Sequence, residues 1–335
     1  MKGRADRVVL CTRLFDAGVE YLQDRVELVW RVNQEPRDIL DDLRKASGVV
    51  VGLQTMDGET IRRCPNLRVI AKQGVGFDNV DAAAANEMGI PIVITPNANT
   101  RSVAEHTLCC ILAAAKNLRH ELQLAQAGDF SRRNQCEAYD LEGKTLGLLG
   151  FGKIGRMVAE MCGAFGMRVA VYDPLLPPDC VENTGCRYVP TLDELLRESD
   201  VVSIHVPLTK STQGLISARE LALMKSSACL VNCARGRIVD ERALYEALRD
   251  KRIFCAALDT FEREPLDPSN PLYALDNVIL TPHVAANTKE ASVRMGLMVG
   301  EGVAAVLAGE RCLKIGNPEV YRHPRWQSSG GSPAI

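Results

Sequence analysis

The chain has 335 residues, 46% hydrophobic and 24% charged, which is too long for one comfortable core and too apolar for a disordered polymer. Forty Lys and Arg against 42 Asp and Glu leave a net charge of −2, so no electrostatic footprint for nucleic acid or an anionic membrane surface exists. The longest apolar run, Leu108 to Ala115, is eight residues, where a membrane span needs roughly 18 or more.

The opening Met1-Lys2-Gly3-Arg4-Ala5-Asp6-Arg7 is charged, so no signal peptide is read and a cytoplasmic setting is expected. In chain order, 7–10 reads as a strand, 15–23 as a helix, 28–30 as a strand and 36–45 as a helix. Residues 48–52 are strand-like, 61–64 form a short helical turn, and 67–72 read as another strand. Strands separated by helix-length segments imply βα units around a parallel sheet. Turn formers interrupt at Thr95-Pro-Asn-Ala-Asn-Thr100; Ser102-Val-Ala-Glu105 then has capping-box spacing, opening a helix through Leu108, Leu112 and Ala115. After an irregular charged stretch over 128–140 the alternation restarts. Strands are expected at 145–149, 168–172, 201–204, 229–232, 255–258 and 278–280. Helices fall near 154–165, 192–197, 217–224 and 241–250, with one more of small and apolar residues at 290–308. The tail, ending Gln327-Ser-Ser-Gly-Gly-Ser-Pro, reads as disordered.

Twelve cysteines lie scattered without a C-x-x-C pair, most in apolar company such as Leu108-Cys-Cys-Ile111. Free thiols acting as small hydrophobes, with no metal site, are expected. The turn Gly150-Phe-Gly152-Lys-Ile-Gly155 follows the 145–149 strand directly and opens a helix. Another strand ends Val171-Tyr172-Asp173, placing a carboxylate where a ribose 2′-hydroxyl would be read. The first glycine permits the tight turn, the second lets backbone approach a pyrophosphate, and the third lets helix and strand pack closely. Asp173 favours NAD over NADP because its charge repels a 2′-phosphate.

Arg235, Glu264 and His283 each follow the C-terminal end of an expected strand, the ends that converge on the ligand crevice of a doubly wound sheet. Their chemistry fits hydride transfer at a 2-oxo acid. Arg235 would grip the carboxylate, and His283 would give a proton to the forming alkoxide. Glu264 would orient the imidazole and favour its charged form. His205 also ends a strand and is read as packing beside the cofactor. A hydrogen-bonded structural role is expected for His106.

Further stretches extend this pattern: Gly74-Val-Gly-Phe-Asp-Asn-Val-Asp81, Thr95 through Glu105, and Gly143-Lys-Thr-Leu-Gly-Leu-Leu-Gly150 running into the glycine turn. Later come His205-Val-Pro-Leu-Thr209, Asn232-Cys-Ala-Arg-Gly-Arg-Ile-Val-Asp-Glu241, Ala257-Leu-Asp-Thr-Phe-Glu-Arg-Glu-Pro265 and Thr281-Pro-His-Val-Ala-Ala286. With them, most of the chain resembles the D-isomer-specific 2-hydroxyacid dehydrogenase family, and within it the short members acting on 3-phosphoglycerate without a regulatory domain. The resemblance implies an α/β fold of two Rossmann-like, doubly wound parallel-sheet domains. A flavodoxin-like substrate-binding domain would comprise 1–98 and 288–322, with an NAD-binding domain, 99–287, inserted into it and 323–335 as the disordered tail. Arg235, Glu264 and His283 become the catalytic set. NAD contacts are implied for Gly150, Gly152, Lys153, Ile154, Gly155, Asp173, Val206, Cys233, Ala234, Arg235, Asp259, His283 and Ala286, with Asp259 near the nicotinamide amide. Lys72, Gly74, Val75 and Gly76, with Arg235 and His283, would bind the substrate, and a homodimer or tetramer is implied.

Some positions depart from the family pattern. Lys72-Gln73-Gly74-Val75-Gly76 replaces the more usual Arg-Ala-Gly-Thr-Gly, Arg237 stands where glycine is common, and Arg132-Arg133 form a charged loop. Alternatives are a glyoxylate, hydroxypyruvate or other 2-oxo acid reductase and, in another class, an NAD-sensing scaffold like the corepressors built on this fold.

Overall fold

A computed structural model describes residues 6–134 and 138–327. Cys136, part of the expected irregular stretch and residues 328–335 of the expected tail lie outside them. The chain divides into two compact units, one of Met1–Asn99 with Asn287–Ile335 and one of Thr100–Ala286.

In the first unit the chain runs β1 (Arg7–Leu10), α1 (Asp16–Leu22), β2 (Glu27–Trp30), α2 (Leu40–Leu43) and β3 (Gly48–Val51). It continues through α3 (Gly58–Arg62), β4 (Val69–Lys72), α4 (Ala82–Glu87) and β5 (Ile92–Val93). The five strands are parallel in the order β2-β1-β3-β4-β5, the flavodoxin-like winding. Strands β3 and β4 are buried on both faces, which is why Val49–Val51 and Val69–Ala71 are continuous apolar runs rather than alternating ones. The helix expected over 36–45 is a 3-10 turn at Pro36–Ile39 followed by only four helical residues.

The second unit begins with α5 (Thr100–Ala115) and α6 (Leu118–Gln126), then alternates β6 (Thr145–Leu149), α7 (Lys153–Ala164), β7 (Arg168–Tyr172), α8 (Asp179–Glu182) and β8 (Arg187–Tyr188). It ends with α9 (Leu192–Glu198), β9 (Val201–Ile204), α10 (Ala218–Leu223), β10 (Cys229–Asn232), α11 (Glu241–Arg249), β11 (Cys255–Leu258) and β12 (Val278–Leu280). Seven parallel strands lie in the order β12-β11-β10-β9-β6-β7-β8, so the winding reverses between β6 and β9. Successive strand residues feed opposite layers. Leu146, Leu148, Val201 and Val231 join one buried cluster, while Leu149, Val202, Ile204 and Leu230 join the other. Each fully buried Val or Leu of this kind contributes about 1.5–3 kcal/mol.

Helix α5 corrects one expectation. It starts at Thr100, so Ser102 is a buried residue inside the helix rather than its cap, and Glu105 pairs with Arg101 at 2.8 Å. The capping box of this unit is at α10, where Ser217 and Glu220 bond reciprocally.

After residue 287 the chain returns to the first unit as α12 (Lys289–Leu307). A Cβ added to Gly18 would lie 2.6 Å from the Gly296 carbonyl oxygen, so α1 and α12 cross on bare backbone. The following segment is stitched to the β5 edge: Ile94 N–H bonds the Lys314 carbonyl and Ile92 N–H bonds Asn317 Oδ1 at 2.7 Å. Trp326 is 5% exposed and donates its indole N–H to the Gly89 carbonyl at 2.9 Å. Disorder was expected from 323 onward; over 323–327 an anchored aromatic overrides the polar composition.

Candidate active site

The polar residues singled out from the sequence gather at strand exits of the second unit. Leaving β6, Gly150 adopts φ 96°, and a Cβ there would meet Val206 and the His205 backbone at 2.8–2.9 Å. Only glycine fits. Gly155 has a similar constraint, since its Cβ would sit 2.5 Å from the Gly150 carbonyl oxygen. Gly152 differs: it caps α7 without a side-chain hydrogen bond, and an added Cβ would meet nothing within 4 Å. The helix therefore presents its first N–H groups to an open cradle, the arrangement a phosphate requires.

Asp173, just past β7, ties that turn down. Its Oδ2 accepts the Phe151 N–H at 2.9 Å and its Oδ1 accepts the Leu175 N–H at 3.0 Å. Each oxygen keeps another lone pair for a hydroxyl. Arg156 stacks 4.4 Å from the Phe151 ring centroid and donates to the Cys180 carbonyl, which engages its charge. His205, at the exit of β9, holds its Nε2 2.9 Å from Ser203 Oγ, and burial pushes its pKa down to about 4. The imidazole is neutral at physiological pH, which suits a packing role beside the turn and not an acid–base one.

Arg235 follows β10 in extended conformation, with its NH1 on the Ala234 carbonyl at 2.8 Å and its own carbonyl held by Asn232 Nδ2. The next residue explains its placement. A Cβ on Gly236 would lie 1.9 Å from the Phe261 carbonyl carbon, so two backbones touch there and bring the 261–264 segment alongside. Glu264 Oε1 accepts the Phe261 N–H at 3.0 Å, and its Oε2 lies 2.6 Å from His283 Nδ1. Burial raises the Glu264 carboxyl, but the hydrogen bond and charge of His283, the Phe261 N–H and the charge of Arg235 outweigh it. The net displacement is below the usual carboxylate value, so Glu264 is an anion at neutral pH. His283 itself sits at φ 53°, an uncommon left-handed conformation for a non-glycine residue.

Asp259 braces the chain on either side of His283. Completely buried after β11, its carboxylate accepts Thr281 Oγ1 at 2.6 Å and the Val284 and Ala285 N–H groups at 2.9 Å each. The loop carrying His283 therefore hangs from one buried side chain. The family resemblance implies a place near a nicotinamide amide for Asp259; within the protein its contacts anchor the loop. His106 bonds Thr281 Oγ1 through Nε2 at 3.2 Å, the structural role expected for it. Gly236, Thr281 and the Phe261 N–H were not singled out beforehand, because their roles exist only in the folded contacts. Lys153 and Ile154 open α7, Val206 follows β9, Cys233 and Ala234 follow β10, and Ala286 lies in the loop beyond β12.

Lys72, Gly74, Val75 and Gly76 belong to the first unit. Lys72 is 7% exposed and its ammonium bonds the Gly52 carbonyl, which Asn79 Nδ2 also reaches at 3.0 Å. Arg237 is exposed, and Arg132 pairs with Asp129 at 2.7 Å.

A doubly wound sheet with an open glycine turn at its switch point is a dinucleotide-binding domain. A family model described as D-isomer specific 2-hydroxyacid dehydrogenase, NAD binding domain, matches residues 108–285. The chain belongs to the D-isomer specific 2-hydroxyacid dehydrogenase family. It is 39% identical over 305 residues to D-3-phosphoglycerate dehydrogenase of Methanocaldococcus jannaschii, covering 91% of this chain but only 58% of that protein. It is also 39% identical over 326 residues to glyoxylate reductase of Aeropyrum pernix, covering 94% of this chain and 97% of that one. Among solved structures, D-lactate dehydrogenase from Aquifex aeolicus complexed with NAD and lactic acid superposes with a TM-score of 0.82 at 32% identity, over 91% of this chain and 96% of that chain. No described helix is long and apolar enough to cross a membrane.

Proposed function

We propose that the protein is an NAD-dependent oxidoreductase interconverting a D-2-hydroxy acid and its 2-oxo acid. The observation that carries this reading is the 2.6 Å Glu264–His283 pair, in the same unit as Arg235 and the open Gly152 cradle. The cradle and the free lone pairs of Asp173 fit a dinucleotide, with Asp173 disfavouring a 2′-phosphate. Bound NAD supplies the hydride acceptor, and NADH the donor.

The residues do the rest. Arg235 holds the substrate carboxylate through two parallel N–H bonds and fixes the carbonyl for attack. Glu264 accepts the His283 Nδ1–H, which leaves Nε2–H to face the carbonyl oxygen. As hydride reaches C2, that proton passes to the developing alkoxide, giving the hydroxy acid and a neutral imidazole. In oxidation the imidazole removes the hydroxyl proton, and Glu264 stabilises the resulting imidazolium.

For the substrate, 3-phosphoglycerate and its 2-oxo partner are supported by the M. jannaschii relative. Glyoxylate or hydroxypyruvate is the second reading, favoured by a glyoxylate reductase that matches along nearly its whole length. The test is NADH oxidation by the pure protein with 3-phosphohydroxypyruvate, hydroxypyruvate, glyoxylate, pyruvate and a bulky 2-oxo acid. Preference for the phosphorylated compound supports the first assignment and preference for glyoxylate the second. No turnover with any would return weight to an NAD-sensing scaffold. We infer a homodimer through the second unit, where Leu118, Leu122 and Tyr273 are 44–51% exposed around an apolar groove with Ile279 and Leu280.

A further inference from the structure

We propose that His106, Cys110 and Cys233 form an inhibitory binding site for a thiophilic divalent metal ion such as zinc. His106 and Cys110 stand one turn apart on α5, and Cys233 is the residue after β10. One ring nitrogen and the two sulfurs all lie within 4.8 Å of one another, the only such trio of donors among the described residues. Two thiolates and an imidazole are a donor set zinc favours. Small side-chain rotations would close this trio onto Zn–S distances of about 2.3 Å and a Zn–N distance of about 2.0–2.1 Å, with water as the fourth ligand.

The surroundings add a second feature of a metal site. Thr281 Oγ1 bonds Asp259 and lies 3.2 Å from His106 Nε2, so the imidazole has an outer partner within hydrogen-bond reach. Outer partners of this kind orient metal-ligating histidines. The two thiols are nearly enclosed, Cys110 3% and Cys233 8% exposed, while the imidazole is 21% exposed and offers the approach. Each Zn–S bond forms as one thiol releases its proton to solvent, with no change of oxidation state.

Occupation would act on the neighbouring chemistry through the chain itself. Cys233 precedes Arg235 by two residues, and His106 is linked through Thr281 and Asp259 to the loop holding His283. A metal pulling these donors together would displace both groups, and a misplacement near 1 Å costs on the order of 100-fold in rate.

The test begins with the chelator-treated full-length protein titrated with Co2+ as a spectroscopic stand-in for zinc. One equivalent should produce a thiolate-to-cobalt charge-transfer band and the intense visible bands of a tetrahedral centre. Cys110→Ser and His106→Gln should each weaken cobalt binding beyond the roughly 10–100-fold that loss of an outer partner costs. Cys109→Ser, altering the exposed neighbouring thiol, should leave the band intact. In parallel, Zn2+ should depress NADH oxidation about 100-fold, with recovery in EDTA, and Cys110→Ser should keep its metal-free rate while escaping inhibition. Absence of the thiolate band in the unaltered protein, or its persistence in Cys110→Ser, overturns the site. Equal zinc inhibition of Cys110→Ser overturns its inhibitory role. Failure to find any substrate would strike the dehydrogenase reading alone, since the cobalt spectrum needs no turnover.

Discussion

Gly152→Ala separates the fold from the cofactor cradle more cleanly than any other single change. The residue sits at φ −73° and ψ −163°, which alanine adopts without strain, and the new Cβ would meet no protein atom within 4 Å. Removing glycine's freedom in the unfolded chain stabilises by about 0.4–1 kcal/mol. Alanine is a poorer helix cap than glycine by a similar few tenths to 1 kcal/mol, so the two terms offset. Thermal unfolding should therefore shift by no more than about 2–4 °C, the change that about 1 kcal/mol produces in a domain of this size. Binding should respond differently. If a pyrophosphate rests against this backbone, the methyl intrudes on it at the about 1–3 kcal/mol typical of overpacking, weakening NADH about 5- to 140-fold. NADH fluorescence titration and a melting curve on the same preparation read both quantities. Unchanged NADH affinity in a normally folded Gly152→Ala protein would refute the cradle. Gly155→Ala is the contrast: with a contact at 2.5 Å to backbone, it should lose stability and binding together.

Other consequences can be checked in the same assays. Glu264→Gln keeps an acceptor for His283 but turns a charge-assisted bond into a neutral one, a loss of about 1–2 kcal/mol, so single-turnover reduction should slow about 5- to 30-fold with NADH affinity unaltered. A rate within twofold of the parent would remove Glu264 from the mechanism. Gly236→Ala has no room beside Phe261 and should destabilise by about 3 kcal/mol or more, seen as a lowered melting temperature or insoluble protein; a parent-like melting curve would contradict the backbone contact. His205 binds its proton near pH 6.5 when unfolded but only near pH 4 when buried. The unfolded chain thus takes up more protons in that window, and stability should fall by about 3 kcal/mol as pH drops through it. His205→Asn should flatten that part of the profile, and an identical slope would assign it to other groups.

Much of this organisation was legible beforehand because buried parallel strands are written as short apolar runs. Cys229-Leu-Val-Asn232 and Cys255-Ala-Ala-Leu258 mark their own ends, and Arg235 and Glu264 follow those ends within a few residues. What escaped depends on contacts between distant segments. Nothing local in Gly236 announces that Phe261 backbone presses on it, and nothing in Asp259 shows that three donors converge there. Ser102 fits a capping box by spacing alone, yet the helix starts at Thr100. Strand β5 is two residues long, below what a periodic pattern can register. Trp326 lies in a polar tail, and only its pairing with Gly89 reveals it as an anchor.

The bare-backbone crossing of α1 and α12 has a consequence for how the protein is made. Gly18 and Gly296 meet across a gap in the chain that contains the whole second unit. At synthesis rates of about 5–20 residues per second, the ribosome needs about 10–40 s to travel from the end of the first segment to α12. During that interval the first sheet has its strands but not the helix whose Val299 and Val303 complete its core. The second unit, continuous in sequence, can finish while the first still exposes apolar surface. Chaperone attention in a cell should concentrate on the strands of the first sheet, and the emergence of α12 is what ends it.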